Sequence, residues 1–285
     1  MDHIGEFFPD SPIWFRWLGR LAAPLFFYAL AVGFQHTRNR KKYLLRLYLA
    51  NVGMVFFNQI MCMLQRKLDY VAYQPKNHNI FTTLFCAGVL ICIWENRKEK
   101  KKFFTYIGIY IFWQAMVMGL AILAEAFDYV WRGNALLQTV LRTNYIFPLL
   151  GGIWDAEGGV FFIVLGVWLY CAVENKWKLA LRYILFCGAY MFMCQGDILY
   201  RIMSRFSFWG YHKLADVIYF GSSFVGIPLG TSDLSLLTEF YQWMMIGALP
   251  IMLACNGERG KSLKWLFYAA YPLQFLVLYG ISYYK

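Results

Sequence analysis

The sequence predicts an all-α fold: a polytopic transmembrane helical bundle with about eight spans and a candidate re-entrant segment. Hydrophobic residues make up 60% of the 285 residues and charged residues only 15%, whereas charged residues form roughly a quarter of a soluble domain. Stretches of about 20 apolar residues recur along the chain, and each can cross a hydrocarbon core of roughly 30 Å. Sixteen of the 27 Lys and Arg residues fall in four short gaps between these stretches.

The four basic gaps predict the orientation of the chain. They hold five, five, three and three basic residues, and they lie at residues 36–46, 95–102, 173–182 and 256–264. Short cytoplasmic loops keep Lys and Arg, whereas translocated loops contain fewer of them. With all four gaps in the cytoplasm, the chain is predicted to be a multi-pass protein of the inner or plasma membrane with both termini outside.

Each apolar stretch is predicted to be a helix, because the bilayer interior has no water to bond backbone groups. The predicted spans cover roughly residues 14–35, 43–64, 79–94, 103–124, 147–172, 180–200, 237–254 and 265–283. Residues 213–230 are also apolar, but a crossing there would put the last basic gap outside. A re-entrant or membrane-surface segment is therefore predicted at 213–230, and a short surface helix at 135–141. No polar stretch is long enough for a separate soluble domain.

The chain has a net charge of +11, and the meaning of this charge depends on where the basic residues lie. Because they flank membrane spans, they are predicted to set topology and to contact anionic membrane lipid, with no role in nucleic-acid binding. The seven cysteines form no CxxC pair and have no neighbouring His at metal-ligand spacing. No metal site and no disulfide framework are predicted.

Ionisable residues inside predicted spans are candidates for function, because they are costly in lipid unless paired or used. Arg20 lies in the first span just before Pro24, and it either serves a site or snorkels to the outer interface. Asp155 and Glu157 lie near the start of the fifth span, where two residues on a helix point about 200° apart. Asp155 is a candidate to orient or deprotonate a bound group.

His36 closes the first predicted span on its cytoplasmic side. A histidine can accept a proton near neutral pH, although at a helix end it can equally act as a cap or an interfacial group. Guanidinium and ammonium groups follow it and could hold a polyanionic cofactor with its reactive end at His36. They are Arg38, Arg40, Lys42 and Arg46.

Several segments resemble signatures of the TraX family. Residues 19–26 (GRLAAPLF) and 33–47 (GFQHTRNRKKYLLRL) resemble its opening signature, and residues 79–84 (NIFTTL) its next motif. Residues 255–260 (CNGERG) and 267–273 (FYAAYPL) resemble its closing block. The family often has a histidine where this chain has Gln274, and Asp-Tyr-Gly where this chain has the sequence DAEG from residue 155.

The resemblance implies one integral-membrane acyltransferase-like domain over residues 1–285. The family includes the conjugation protein that acetylates the N-terminus of F-type pilin. The implied activity moves an acetyl group from cytoplasmic acetyl-CoA to an amine or hydroxyl acceptor, such as a pilin or peptide N-terminus. No metal is expected to take part.

The same interpretation gives roles to individual residues. The acetyl-CoA phosphates are expected to bind four of the basic residues after His36, namely Arg38, Arg40, Lys42 and Arg46. Arg259, from the last cytoplasmic loop, is expected to join them. His36 is the expected base, and Arg20 and Asp155 line the acceptor route. Asn79, Asn256 and Tyr271 are candidates to contact the thioester oxygen or the acceptor, although each could instead bridge helices. Glu157 could mark a different acceptor.

Two other classes of function stay open at this point. A channel or transporter would use Arg20, Asp155 and Glu157 along its pathway. A non-catalytic membrane partner would tolerate substitution of His36. Binding or slow hydrolysis of acetyl-CoA by the purified protein would separate the enzyme from the transporter.

Overall fold

The computed structural model describes most of the chain. The described residues are 2–8, 10–67, 79–130, 143–154, 156–195, 241–256 and 264–283, together with 205, 213–214, 216–218 and 221. Within them every regular element is a helix. This confirms the predicted all-α class.

The described helices are numbered here in chain order. They are α1 (Asp2–Phe7), α2 (Trp14–Gly19), α3 (Ala22–His36), α4 (Arg40–Lys67), α5 (Ile80–Glu95), α6 (Lys100–Val130), α7 (Thr143–Leu149), α8 (Gly159–Tyr170), α9 (Lys176–Gln195), α10 (Ala248–Ala254) and α11 (Lys264–Tyr283). Two 3₁₀ helices cover Asn96–Lys98 and Tyr241–Gly247. Packing divides the chain into two compact units, a first unit of Met1–His36 with Trp168–Lys285 and a second unit of Thr37–Val167.

Helices long and apolar enough to cross a membrane occur in both units. They cover Trp14–His36, Arg40–Leu64, Ile80–Lys98 and Lys100–Ala124. Shorter apolar helices cover Gly159–Tyr170, Tyr241–Ala254 and Leu266–Ser282. The structure therefore contains four candidate membrane-spanning helices by length and composition, while the count of eight spans and the single domain stay predictions.

The outer surface of α6 is strongly apolar. Phe104, Ile111 and Phe112 expose 67%, 62% and 73% of their surface. Water would disfavour so large a patch of aromatic and aliphatic side chains on one helix. The patch fits a helix whose outward face contacts lipid.

The first predicted span is interrupted at Arg20. The N–H groups of Arg20 and Leu21 donate at 3.2 Å to the carbonyls of Trp17 and Leu18, three residues earlier. Pro24 has no N–H to give to the carbonyl of Arg20, so the α-helical pattern cannot continue unchanged through this point. The chain therefore tightens between α2 and α3.

The prediction of one continuous helix over 147–172 was wrong. Helix α7 ends at Leu149 and α8 begins only at Gly159. Gly151, Gly158 and Gly159 have φ values of 65°, 80° and 70°, a left-handed conformation that glycine adopts without a steric cost. We call the connection, residues 150–158, the central loop.

Other predicted elements fall partly outside the described residues. The sixth span starts earlier than predicted, at Lys176, and is described as far as Gln195. The seventh begins with the 3₁₀ helix from Tyr241. The surface helix at 135–141 lies outside the described residues, as does most of the candidate re-entrant segment at 213–230.

Candidate functional site

The C-terminus of α7 is closed by a backbone motif that depends on glycine. Gly152 N–H donates to the carbonyl of Phe147 at 2.6 Å, and Gly151 N–H donates to the carbonyl of Pro148 at 3.1 Å. With Gly151 in the left-handed region, these two bonds form a Schellman motif. A side chain at Gly151 is disfavoured for two reasons. Its φ is positive, and a Cβ there would lie 2.8 Å from the ring of Phe85.

Helix α6 supplies side chains that bond the backbone of the central loop. The buried Gln114 donates from Nε2 to the carbonyl of Gly151 at 3.1 Å and accepts from the N–H of Ile153 at 3.0 Å. Trp113 Nε1 donates to the carbonyl of Leu150 at 2.9 Å. Trp154 Nε1 donates in return to the carbonyl of Gln114 at 3.1 Å. Gln114 thus uses both ends of its amide to fix the loop.

Helix α4 bonds the last carbonyls of α7, and α5 contacts the start of the central loop. Tyr48 donates its hydroxyl to the carbonyl of Leu149 at 2.7 Å, and Asn51 Nδ2 donates to the carbonyl of Pro148 at 2.6 Å. Cys86 Sγ lies 3.5 Å from the carbonyl of Gly151. A helix end away from water needs such partners for its last carbonyls.

A buried group of amides and a hydroxyl lies where α4 meets the start of α5. Asn51 and Thr82 are 0% exposed and Asn79 is 3% exposed. Asn51 Oδ1 accepts from Asn79 Nδ2 and from Thr82 Oγ1, each at 2.7 Å. Asn79 Nδ2 also donates to the backbone carbonyl of Asn51 at 3.1 Å. We call Asn51, Asn79 and Thr82 the amide cluster.

The central loop lies far from the basic ends of the helices that bond it. At 1.5 Å per residue, Asn51 is about 16 Å from Arg40 and Gln114 about 21 Å from Lys100 along their helices. These distances place the loop near the middle of a hydrocarbon core of roughly 30 Å, if the basic ends lie at one membrane surface. Irregular backbone at that depth requires burial within protein.

Glu157, one of the two carboxylates predicted for the fifth span, belongs to the central loop. The carbonyl of Glu157 accepts from Thr83 Oγ1 at 3.0 Å, and its side chain is half-buried. The predicted role of Asp155 falls on a residue outside the described ones, as does that of Arg259. What the structure adds is that the segments on both sides of Asp155 are bonded to α5 and α6.

The first turn of α4 is basic and capped. Asn39 Oδ1 accepts from the N–H of Lys42 at 2.9 Å, the usual function of an N-cap asparagine. Arg38 and Lys42, both predicted to bind phosphate, are exposed, and so is Lys41. No acidic residue lies in this first turn. His36, the predicted base, is the exposed last residue of α3.

The other two predicted phosphate ligands make contacts inside the second unit. Arg40 forms an ion pair with Glu95, with Nη2 2.8 Å from Oε1 and Nε 3.4 Å from Oε2. Arg46 lies over the ring of Tyr43, 5.6 Å from its centroid. Arg40 therefore joins α4 to α5.

Within the first unit, Arg20 contacts the 3₁₀ helix that starts at Tyr241. Its Nη1 donates to Gln242 Oε1 at 2.9 Å, and its guanidinium carbon lies 4.9 Å from the centroid of the Tyr241 ring. The cation thus meets an amide oxygen and a π-face. Arg20 links two places where regular helix is interrupted, and it does not simply extend to the interface.

The predicted contacts from the closing block differ in burial. Asn256 is exposed. Tyr271 is 6% exposed and packs with its ring centroid 5.3 Å from that of Phe275 and 6.3 Å from that of His3. Both residues belong to the first unit, together with Arg20 and His36, whereas the other described candidates belong to the second unit.

Sequence reasoning missed three buried residues that organise the second unit. Asn51, Gln114 and Thr83 are 0%, 4% and 0% exposed, and each bonds groups on another element. The available signal was a lone amide inside an apolar stretch, at Asn51 in LANVG and at Gln114 in FWQAM. A polar side chain in a span is rarely left without a partner.

The described residues form an all-helical protein with helices long enough to span a membrane and a buried polar site around a helix break. The chain belongs to the TraX protein family, whose model matches residues 1–190. This match confirms the family predicted from the sequence motifs. No curated protein and no solved structure matches the chain significantly.

Proposed function

We propose that this protein is an integral-membrane acetyltransferase that moves an acetyl group from acetyl-CoA to an amine or hydroxyl acceptor. Membership of the TraX family supports the proposal. The observation that carries it is the exposed basic start of α4, where Arg38, just before the N-cap, and Lys41 and Lys42, in the first turn, surround a capped helix start.

The start of α4 favours an anionic ligand for two reasons. A helix N-terminus carries a partial positive charge from its unpaired N–H groups. Cations placed beside it repel that charge and one another, and this first turn has no carboxylate to offset them. Phosphate groups would relieve the repulsion and bond both the N–H groups and the side chains. Acetyl-CoA brings such phosphates at the end opposite its thioester.

The predicted phosphate ligands differ in how well they fit this role. Arg38 and Lys42 are exposed and fit directly. Arg40 already bonds Glu95, so we assign it to holding α4 against α5. Arg46, over the Tyr43 ring, contributes charge and orientation to the same end of the helix.

The proposed reaction needs one base and one leaving group. The acceptor nitrogen or oxygen attacks the thioester carbonyl carbon, its new bond to the acetyl group forms and the carbon–sulfur bond breaks. The acceptor proton passes to His36, and the departing thiolate regains one proton, so the products are the acetylated acceptor and free coenzyme A. Direct transfer is favoured over an acetyl-enzyme, because no second nucleophile is evident.

Binding of radiolabelled acetyl-CoA to the purified full chain tests the phosphate site. Charge-assisted bonds are each worth about 1.5–3 kcal/mol, so Arg38→Ala and Lys42→Ala should each raise the Kd about tenfold or more. Lys98→Ala is the matched control, since Lys98 is an exposed lysine in the 3₁₀ helix that follows α5. Variants that bind like the Lys98 control would remove the start of α4 from the coenzyme site.

A separate experiment tests the base. His36→Ala should abolish acetyl transfer, because no proton acceptor would remain in the proposed step. Acetyl-CoA should still bind, and the helical circular-dichroism spectrum in detergent should be unchanged. Turnover retained within a few-fold of wild type would exclude His36 as the base.

Localisation and topology are part of the same proposal. We place the chain in the inner or plasma membrane, with the basic helix ends in the cytoplasm and both termini outside. Cysteine labelling from one side of sealed vesicles checks this. Arg97→Cys, in a basic gap, should react only from the cytoplasmic side, and labelling from outside would reverse the assignment.

A transporter is the second candidate, and one observation favours it. Many transporters bind substrate near mid-membrane, where a helix is broken, and the central loop breaks a helix at a comparable distance from the basic ends. Acetyl-CoA binding separates the two functions. A transporter should neither bind nor hydrolyse it.

A further inference from the structure

Asn79 does not use its side chain as an N-cap residue normally does. It stands at the N-cap of the 16-residue helix α5, with φ −151° and ψ 76°, and makes no side-chain capping bond. An asparagine there usually accepts from a helix N–H through Oδ1, as Asn39 does for α4. The available local partners of Oδ1 are therefore left unused.

The amide of Asn79 is instead held by its nitrogen. Nδ2 donates to Oδ1 of Asn51 at 2.7 Å and to the backbone carbonyl of Asn51 at 3.1 Å. Both Nδ2 contacts are to oxygens that only accept, so exchanging the positions of Nδ2 and Oδ1 would set oxygen against oxygen. Thr82 and Pro148 fix Asn51 in turn, through its Oδ1 and its Nδ2. The amide cluster therefore dictates where Asn79 Oδ1 lies.

Asn79 Oδ1 is a buried acceptor with nothing donating to it among the described residues. Its residue is 97% buried, since 3% of its surface is exposed. Almost all buried polar groups in proteins have a partner. An oxygen oriented by three neighbouring residues, yet left without a donor, is arranged for a group that comes from outside the protein.

We propose that Asn79 Oδ1 binds an N–H or O–H of the acetyl acceptor other than the one that gives its proton to His36, because Asn79 is bonded to Asn51, about 16 Å along α4 from Arg40. The inference rests on the proposed function and narrows it, because a carbonyl oxygen can accept a hydrogen bond and cannot stabilise the thioester oxygen or its developing negative charge. Of the two roles that the sequence left open for Asn79, contact with the acceptor is the one that fits.

The neighbouring helix end selects the protonation state of that acceptor. Helix α5 begins at Ile80, and its N-terminus carries partial positive charge. A protonated ammonium would be repelled there, whereas a neutral amine or a hydroxyl would not. The acceptor class is thus a neutral N–H or O–H donor.

Ligand-observed NMR with the full chain in detergent tests this assignment. The probes are 2,2,2-trifluoroethylamine, whose fluorine atoms keep the amine largely neutral at neutral pH, n-butanol and 1-methoxypropane, the last being an isomer of butanol that cannot donate. A donated hydrogen bond to a buried acceptor predicts that the two donors bind wild type about tenfold more tightly than 1-methoxypropane. Asn79→Leu should remove that preference.

Thr83→Val is the matched control for a change at the buried start of α5. It removes the Thr83 hydroxyl from the Glu157 carbonyl but leaves the amide cluster intact, so the preference for donors should persist within about twofold. Equal binding of the three probes by wild type would overturn the assignment. A donor preference that survives in Asn79→Leu, or disappears equally in Thr83→Val, would do the same.

Acetyl-CoA binding, measured on the same samples, separates the two claims. Wild type that binds acetyl-CoA but shows no donor preference retains the proposed function and loses the Asn79 assignment. Wild type that prefers the donors but does not bind acetyl-CoA has the donor site, and acetyl transfer is then excluded as its use.

Discussion

Replacing Gln114 with leucine tests whether the central loop depends on side chains from α6. The change keeps the volume of the buried position roughly constant. It removes the donor to the Gly151 carbonyl and the acceptor from the Ile153 N–H. Both backbone groups are then left without these partners, and within the described part of the chain only the weak Cys86 thiol still reaches the Gly151 carbonyl.

Two bounds give the expected loss in the free energy of unfolding of Gln114→Leu. Interhelical hydrogen bonds in membranes average about 0.6 kcal/mol each, so two give about 1 kcal/mol as a lower bound. A buried group left unsatisfied costs about 1–3 kcal/mol, which gives a few kcal/mol for two. We expect Gln114→Leu to lower the free energy of unfolding by about 1–4 kcal/mol.

Gln59→Leu in α4 is the matched control, with the opposite expected sign. Gln59 Oε1 is buried and has no hydrogen-bond partner among the described residues. Removing it should leave stability unchanged or raise it, because no bond is lost and an unsatisfied acceptor disappears. Reversible unfolding in SDS, followed by circular dichroism, measures both variants. Equal effects of the two substitutions, or a loss below about 0.5 kcal/mol for Gln114→Leu, would refute the reasoning.

Three further predictions concern stability. Gly151→Ala should lower the stability of the folded protein by about 1–3 kcal/mol, because alanine is strained at a positive φ and its Cβ would lie 2.8 Å from the Phe85 ring. Gly119→Ala, at an open position on the surface of α6, is the control and should be neutral or stabilising. The melting temperatures of the two variants measure the difference. Asn39→Ala should cost about 1 kcal/mol through loss of the α4 cap, and Asn39→Gly a few tenths, both read from SDS titration. A double-mutant cycle with Arg40→Met and Glu95→Gln should give a coupling of about 0.5–1 kcal/mol at low salt that shrinks as salt is added, and zero coupling would contradict the ion pair.

The sequence predicted the long uniform helices well. The span predicted at 79–94 is α5 at Ile80–Glu95, and that at 265–283 is α11 at Lys264–Tyr283. These segments are limited on both sides by charged or polar residues, and an apolar run between such limits has one stable backbone conformation in lipid. Local composition was therefore enough.

The break at the central loop could not be predicted from local composition. Residues 147–172 are as apolar as a true span, and glycine is common in transmembrane helices. Helix α7 can end there because Asn51 and Gln114, on other helices, donate hydrogen bonds to the carbonyls of Pro148 and Gly151. Their pairing with residues about 40 to 100 positions away is a tertiary fact that no sequence window contains. Glu157 was predicted to lie on a helix for the same reason.

The bonding of the central loop also bears on which function its position serves. Its backbone is bonded to α5 through Thr83 and to α6 through Gln114, and the end of α7 just before it is bonded to α4 through Asn51. Moving the loop away from these helices would leave backbone groups unpaired, each costing about 1–3 kcal/mol away from water. Alternating access requires broken helices that change partners during the cycle. A loop held in this way is better suited to keep reacting groups at a fixed position, as the proposed transferase requires.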